Sequence, residues 1–528
     1  MIDKTSYISK GSLRIIVFSF FLSPLMFIAC EDVSEPTGIT VRDNTDDDPT
    51  DTLGSNLDDD PIDFSQFRDT YSHISSVNNI YDWAHYNVHD PTIIDNGDYF
   101  YCYTTDVAFG ATVRPGHNIR RSRNLVEWEF VGWVVGGNNL PVGEISDAGY
   151  PPLGLDHIRS NGGEPFNNLW APYAMKYEDE YRVYYSISSS VPRLSAIGLM
   201  VSDKPYGPFT ERGLVVTSLN NSARQTNAID PTVTVGTDGS HWFYYGSAWD
   251  GIYKIELDPV TGLPNRTGVK GTRVAQRAFT GNSINGNIEG PEIIYNEEFD
   301  KYYMFIAYDW LQTKYNVRVG RSDNPDGPFY DYLGRNMNQE IDDLPMILAP
   351  YKFQGHSGWQ GVSHPSVFQD QESKDFYMAH QGRPGVNSYY MLLHVRQIHW
   401  TEDGWPMVSP QRFAAEEETT VDESEIPGNW ERIILDYEIV PGYADEQTSP
   451  DFQTSEDLFI LSDGTLLGAA TGTWSYDAPW ITFDIDGESA PFKLKVERGR
   501  DWENEVDETI LFTGITTEGI AHWGKKVE

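Results

Sequence analysis

The sequence predicts an all-β chain: a five-bladed β-propeller followed by a small C-terminal β-barrel or β-sandwich. Three observations carry this. A short motif ending in proline recurs as His89-Asp90-Pro91, Trp170-Ala171-Pro172, Ile229-Asp230-Pro231, Glu289-Gly290-Pro291 and Ser363-His364-Pro365. Each motif leads into a short apolar run, a turn and an aromatic-rich run, as in Thr92-Ile93-Ile94, Asn96-Gly97 and Tyr99 to Thr104. Asn-Gly or Asp-Gly between strand-like runs is a hairpin signal. Finally, 15 Trp, 31 Tyr, 46 Gly and 31 Pro suit many short strands and turns.

Successive motifs stand roughly 60 to 80 residues apart, room for a four-stranded blade of ~40–50 residues plus loops. A second sub-repeat supports the register. Ser202 to Phe209 nearly matches Ser322 to Phe329, and Ser122 to Glu129 is a looser copy. In a propeller the start of each innermost strand faces the central funnel. Asp90, Trp170, Asp230, Glu289 and His364 are therefore expected to converge on one cavity.

The chain divides into four parts. Over 1–30, Lys4, Lys10 and Arg14 precede the apolar run Ile15 to Ala29, broken by Ser19, Ser23 and Pro24. That run is shorter than the ~20 residues of a membrane span and reads as the core of a secretory signal. Its end, Phe27-Ile28-Ala29-Cys30, resembles a bacterial lipoprotein signal. The resemblance implies lipid on Cys30 and an outer-membrane lipoprotein on the cell surface or periplasmic face, with the lipid as its one membrane contact. An ordinary signal with an incidental cysteine is the alternative. Cys102 is then left alone and no disulfide is expected. Residues 31–70 carry the runs Asp46-Asp47-Asp48 and Asp58-Asp59-Asp60 and are expected to form a solvated tether. Glu31-Asp32 after the cysteine resembles a surface-export signal of Bacteroidetes lipoproteins. The propeller is expected over 71–415. Residues 428–528 alternate polar and apolar positions around turns such as Asp463-Gly464, as a β module does. Trp474, Trp480 and Trp502 are candidates there for sugar contact, with packing against the propeller as the alternative.

Charge narrows the partners. Lys plus Arg total 38 and Asp plus Glu 79, a formal net charge of −41. Nucleic-acid binding and electrostatic adsorption to anionic membranes both need the opposite sign. An aromatic-rich acidic surface suits a neutral polar ligand such as a sugar. No Gly-x-Ser-x-Gly elbow, helical His-Glu-x-x-His pair or strand–Gly-x-Gly-x-x-Gly–helix unit occurs.

Three carboxylates in blade register point to glycoside hydrolysis. One carboxyl must be protonated to give a proton to the leaving oxygen, and another ionised to activate water. A third raises the acid's pKa by like-charge repulsion. The stretches Val88 to Pro91, Leu169 to Pro172, Asn227 to Pro231 and Ile288 to Pro291 resemble glycoside hydrolase family 43, and within it the endo-α-1,5-L-arabinanases. Ser195 to Gly198, Tyr245 to Ser247 and Val319 to Ser322 extend the resemblance, which spans about Tyr81 to Gln411. It implies hydrolysis of arabinan, or another pectic or hemicellulosic polysaccharide, with inversion. Asp90 then matches the general base, Glu289 the general acid, and Asp230 the residue that tunes the acid. It also implies a calcium ion near His364, held largely through waters. Two departures stand out: Glu289-Gly290-Pro291 where Glu-Ala-Pro is common, and Ser247-Ala248-Trp249 where Ser-Phe-Trp is common. Trp170, Asn227, Ala228, Ile229, Ser247 and Trp249 are expected to line the sugar pocket, with Phe109 and Trp310 as weaker candidates. The Leu140 to Asn168 insertion is expected at the cleft rim. An exo-acting arabinofuranosidase or β-xylosidase of the same family, and a non-catalytic glycan-binding lipoprotein, are the alternatives. A monomer is expected.

Overall fold

Among the residues that the computed structural model describes (61–71, 79–111, 113–137, 147–280, 283–284, 287–436 and 447–527), four four-stranded antiparallel sheets and a fifth blade, whose four strands are extended by Tyr351–Lys352 and Gln453–Thr454 to a six-stranded sheet, follow one another in chain order. The signal, Cys30 and the tether up to residue 60 lie outside the described residues. Blade 1 comprises Thr92–Asp95, Phe100–Tyr103, Asn118–Ser122 and Glu129–Trp133. Blade 2 comprises Trp170–Tyr177, Glu180–Ser188, Ser195–Ser202 and Thr210–Ser218. Blade 3 runs Thr232–Val235, His241–Tyr245, Ile252–Leu257 and Thr272–Ala275. Blade 4 runs Ile288–Asn296, Lys301–Tyr308, Asn316–Ser322 and Met346–Leu348. Blade 5 runs Trp359–Gln369, Phe376–Pro384, Leu392–Trp400 and Pro406–Val408. Each proline motif opens or lies within the innermost strand of its blade, as the repeat predicts. The insertion before blade 2 contains an α-helix, Pro152–Ser160, that packs on that blade's last three strands.

The residue just before each motif proline has a positive φ: Asp90 47°, Ala171 31°, Asp230 60°, Gly290 57° and His364 55°. For residues other than glycine this left-handed backbone costs roughly 1–3 kcal/mol each. Strand pairing slips at the same point in blades 2, 4 and 5. The break in two-residue alternation brings Asp90, Asp230 and His364, one residue before proline, into one layer with Glu289, two before.

Tyrosines of the second strands tie neighbouring blades. The hydroxyls of Tyr103, Tyr184, Tyr244 and Tyr303 donate to the backbone carbonyls of Pro205, Gly262, Pro325 and Gly404 in the next blade. The turns holding Pro205 and Pro325 belong to the two matching sub-repeats. Blade 5 meets blade 1 differently, through an apolar cluster of Phe100, Leu125 and Trp128 with Phe368, Tyr377 and Leu393.

The C-terminal module resolves as a barrel: eight strands from Gly428–Leu435 to Ala521–Val527 close on themselves. Trp430, Leu458, Ile481, Phe483 and Phe512 fill it, so the interior is a core. The barrel shares a second core with blade 5, in which Tyr351, Phe353 and Met407 meet Ile433, Leu435 and Trp523. Thr513 Oγ1 donates to Val408 O at 2.9 Å across the same boundary.

Two expectations are corrected here. Residues 61–70, the end of the expected solvated tether, instead form a strap that packs on the body. Phe64 and Phe67 pack edge-on against Trp502 of the barrel, at 5.4 and 5.5 Å between ring centroids, and Phe67 stacks on His85 at 4.7 Å. Arg68 pairs with Glu505, and the Tyr71 hydroxyl donates to Met391 O. The aromatic residues override the polar composition because they bury apolar area that Asp and Ser cannot. The three module tryptophans are likewise committed to packing. Trp474 lies in the barrel core and donates to Leu461 O, Trp502 lies beneath the strap and donates to Arg412 O, and Trp480 packs against the shared core. Phe67→Ala is expected to lower stability by about 1–3 kcal/mol, the range for truncating a half-buried aromatic. A denaturant titration checks this; an unchanged midpoint would mean that the strap adds nothing.

Candidate active site

Asp90 is buried, and its position is set from three blades' worth of contacts. Thr105, just beyond the second strand of blade 1, donates from Oγ1 to Asp90 Oδ2 at 2.6 Å and accepts the Ala171 N–H of blade 2 at 2.6 Å. The Asp90 N–H donates to Gln381 Oε1 of blade 5 at 3.1 Å. His89 Nδ1 lies 2.7 Å from Oδ2 and His364 Nδ1 lies 3.1 Å from Oδ1. Burial alone would raise this carboxyl, but the His364 and His89 imidazoles and the Thr105 hydroxyl outweigh it and hold it below the usual range. Burial pushes His89 down in spite of Asp90.

Glu289 is half-buried and accepts one hydroxyl on each oxygen. Ser247 Oγ donates to Oε2 at 2.6 Å, and the Tyr315 hydroxyl donates to Oε1 at 2.8 Å. Asp230 is buried deeper; its Oδ2 accepts the Gly290 N–H at 3.3 Å, which ties it to the backbone beside Glu289. Burial first, then the charges of Glu289 and Asp90, push the Asp230 carboxyl well above its ordinary value. Two carboxylates in one layer are thus driven apart: Asp90 towards the ion, Asp230 towards the acid.

The two halves of the site are joined. Tyr315 OH lies 3.4 Å from the same His364 Nδ1 that faces Asp90. Contacts of 3.1, 3.4 and 2.8 Å therefore run from Asp90 to Glu289. They set an upper limit of about 9 Å on the separation of Asp90 Oδ1 and Glu289 Oε1; an inverting pair stands ~6.5–9.5 Å apart to leave room for a water. Gly290 explains one departure noted above: a Cβ there would stand 3.0 Å from His364 Nδ1. The glycine lets the imidazole reach inward.

His364 has Nδ1 turned to Asp90 and Tyr315, which leaves Nε2 for a ligand. Among the described residues, no group of three or more His, Cys, Asp or Glu is gathered as a metal cage. Calcium prefers oxygen ligands, so an ion on this one imidazole would need water for the rest of its shell.

The expected sugar-pocket residues divide. Trp170 is half-buried and stacks on Phe166 at 5.0 Å. The half-buried Trp249 carries the Arg193 guanidinium 4.7 Å from its ring centroid. Asn227 bridges to Ser247 through its backbone. Ala228 is a correction: it is fully buried in the core between blades 2 and 3, its N–H held by Ser218 Oγ, because an apolar residue beside a tight turn packs inward. Ile229 is also buried. Ser247 is turned to Glu289. Phe109 packs between Tyr71 and Tyr390, and the Trp310 N–H donates to Gln447 Oε1. Thr105, Tyr315 and Gln381 escaped sequence reasoning. None lies in a proline motif. The one available signal is position: Thr105 follows a second strand, and Tyr315 directly precedes a third.

Comparison with known proteins follows this geometry. Residues 84–406 match the family described as Glycosyl hydrolases family 43, and residues 410–524 match a C-terminal lipocalin-like domain. The chain is 29% identical over 475 residues to an extracellular endo-α-(1→5)-L-arabinanase of Thermotoga petrophila, covering 84% of this chain and 94% of that protein. It is 26% identical over 477 residues to extracellular endo-α-(1→5)-L-arabinanase 2 of Bacillus subtilis, covering 83% and 93%. A crystal structure of the endo-1,5-α-L-arabinanase from Thermotoga petrophila superposes with a TM-score of 0.71 at 26% identity, covering 84% of this chain and 99% of that one.

Proposed function

The chain belongs to glycosyl hydrolases family 43, and from that premise we propose that it cleaves α-1,5-linked L-arabinan internally, with inversion at the anomeric carbon. The observation that carries this is one layer that holds Asp90, kept towards the ion, Asp230, pushed towards the acid, and Glu289, with an oxygen no more than about 9 Å from Asp90, the arrangement that an inverting pair with a third carboxyl requires. Asp90, ionised, takes a proton from water as the water oxygen bonds to the anomeric carbon. The bond to the glycosidic oxygen breaks, its electron pair stays on that oxygen, and Glu289 supplies the proton. Asp230 fixes the backbone beside the acid through the Gly290 N–H. The relatives named endo-arabinanases support the substrate and the internal cut. One digest of linear arabinan with product sizing tests both: oligosaccharides from the start support internal cutting, and arabinose alone would replace it by exo action.

The leader supports export with lipid attachment at Cys30, and its relatives are named extracellular. A Cys30→Ser protein that stayed in the membrane fraction would remove the lipid from this reading. A hydrated calcium ion on His364 Nε2 would supply a fixed positive charge at the axis. Activity unchanged by a chelator would remove the ion. The enzyme acts as a monomer in this reading, checked by its sedimentation mass.

Asp230→Asn is expected to separate stability from activity. A carboxyl whose folded pKa is raised stabilises the fold below its unfolded pKa and loses that contribution as pH rises through the folded value. Removing it should raise the melting temperature at pH 7 by a few degrees, roughly the effect of a ~1 kcal/mol gain, and lower turnover. A lower melting temperature at pH 7, measured by calorimetry, would contradict this sign.

A further inference from the structure

We propose that Tyr315 is a positioning residue for the acid. Its phenol anchors Glu289 Oε1, so that Oε2, beside Ser247, is the oxygen that carries the proton to the leaving group. The proposal rests on the reading of Glu289 as the acid.

Three features support it. The first is rigidity. Tyr315 is fully buried, and among the described residues its hydroxyl meets Glu289 Oε1 at 2.8 Å and His364 Nδ1 at 3.4 Å. Glu289, by contrast, is half-buried with three rotatable side-chain bonds, so a fixed donor removes freedom that the proton transfer cannot tolerate. The second is asymmetry between the two donors. A serine hydroxyl rotates and can accept as readily as donate, whereas the phenol here faces the carboxyl as a donor. The oxygen that gains and loses the proton is then the one beside Ser247. The third is connection: the same phenol lies 3.4 Å from His364 Nδ1, which faces Asp90 Oδ1 at 3.1 Å, so the hydroxyl that anchors the acid is itself held from the side of the base. As Oε2 gives up its proton the carboxyl becomes anionic and the bond from Tyr315 strengthens. That interaction is stronger in the transition state than in the ground state, which is the kind that raises turnover.

The test is Tyr315→Phe in the full chain, with two substrates. One is arabinan. The other is a 2,4-dinitrophenyl glycoside of arabinotriose, whose leaving group needs no proton. On arabinan the variant should lose roughly 10- to 100-fold in kcat with KM within about threefold, the size expected for part of a general-acid effect. On the dinitrophenyl substrate the loss should shrink to about threefold or less. Both rates scale with the folded fraction, so their ratio reports the acid even in a partly unfolded preparation. An equal loss on both substrates, or none on arabinan, overturns the proposal. Glu289→Ala run beside it separates the two readings. If that variant keeps wild-type turnover of arabinan, the assignment of the acid fails. If it is inactive while Tyr315→Phe behaves as wild type, the positioning role alone fails.

Discussion

Glu289→Ala is expected to lower turnover of arabinan by roughly three to four orders of magnitude, the upper range for a positioned general acid. The fold should survive. Glu289 is half-buried, and its two partners, Ser247 and Tyr315, are hydroxyls that can turn to water in the enlarged cavity. Expelling an arabinose oxygen without a proton puts a full alkoxide charge on the leaving group, and no other described acid lies against Ser247 and Tyr315. Asp230 is too deep to replace it, held by the Gly290 N–H. Reducing-end release from arabinan, with a circular dichroism spectrum to verify folding, checks the expectation. A loss under about tenfold would move the acid elsewhere.

Asp90→Ala is expected to be as damaging on arabinan, for a different reason. The water still binds, but nothing takes its proton as it attacks. Azide needs no deprotonation and fits the space of a lost carboxylate, so it should restore part of the rate on the dinitrophenyl substrate and yield an arabinosyl azide of inverted configuration. The Asp90 side chain also gathers Thr105, His89 and His364, so its removal leaves those groups without their shared acceptor. Lowered stability should accompany the loss. Its pH dependence has a sign: a carboxyl with a depressed folded pKa stabilises above its unfolded pKa and loses that contribution as pH falls through the folded value. The gap in stability between wild type and Asp90→Ala should therefore close in acid and be full at pH 7. An azide product that retained configuration, identified by NMR, would overturn inversion.

The sequence made the blade order legible because proline punctuates it. Pro91, Pro172, Pro231, Pro291 and Pro365 each mark an innermost strand, and Asp90, Asp230, Glu289 and His364 follow from them. The left-handed residue before each proline was not legible. Proline restricts its predecessor but does not select a positive φ. The groups that tune the carboxyls were hidden for another reason: Thr105, Gln381 and Tyr315 reach the axis from second strands and loops, whose meeting depends on ring closure. Ala228 misled because nearness to Asp230 in sequence says nothing about which way a methyl points. The strap misled because composition over 31–70 averaged away the aromatics Phe64 and Phe67.

The junction of blades 1 and 5 has a consequence for how the protein matures. Asp90 comes from the first blade, while Gln381 and His364, which hold its backbone and its carboxylate, come from the last. During synthesis the general base therefore waits, unassembled, until nearly the entire ring has emerged. A truncated or misdocked chain could still lay down four good sheets, yet its base would lack its partners. Hydrolytic activity is thus a built-in certificate that the two ends of the ring have met, and a sample's specific activity counts its closed rings.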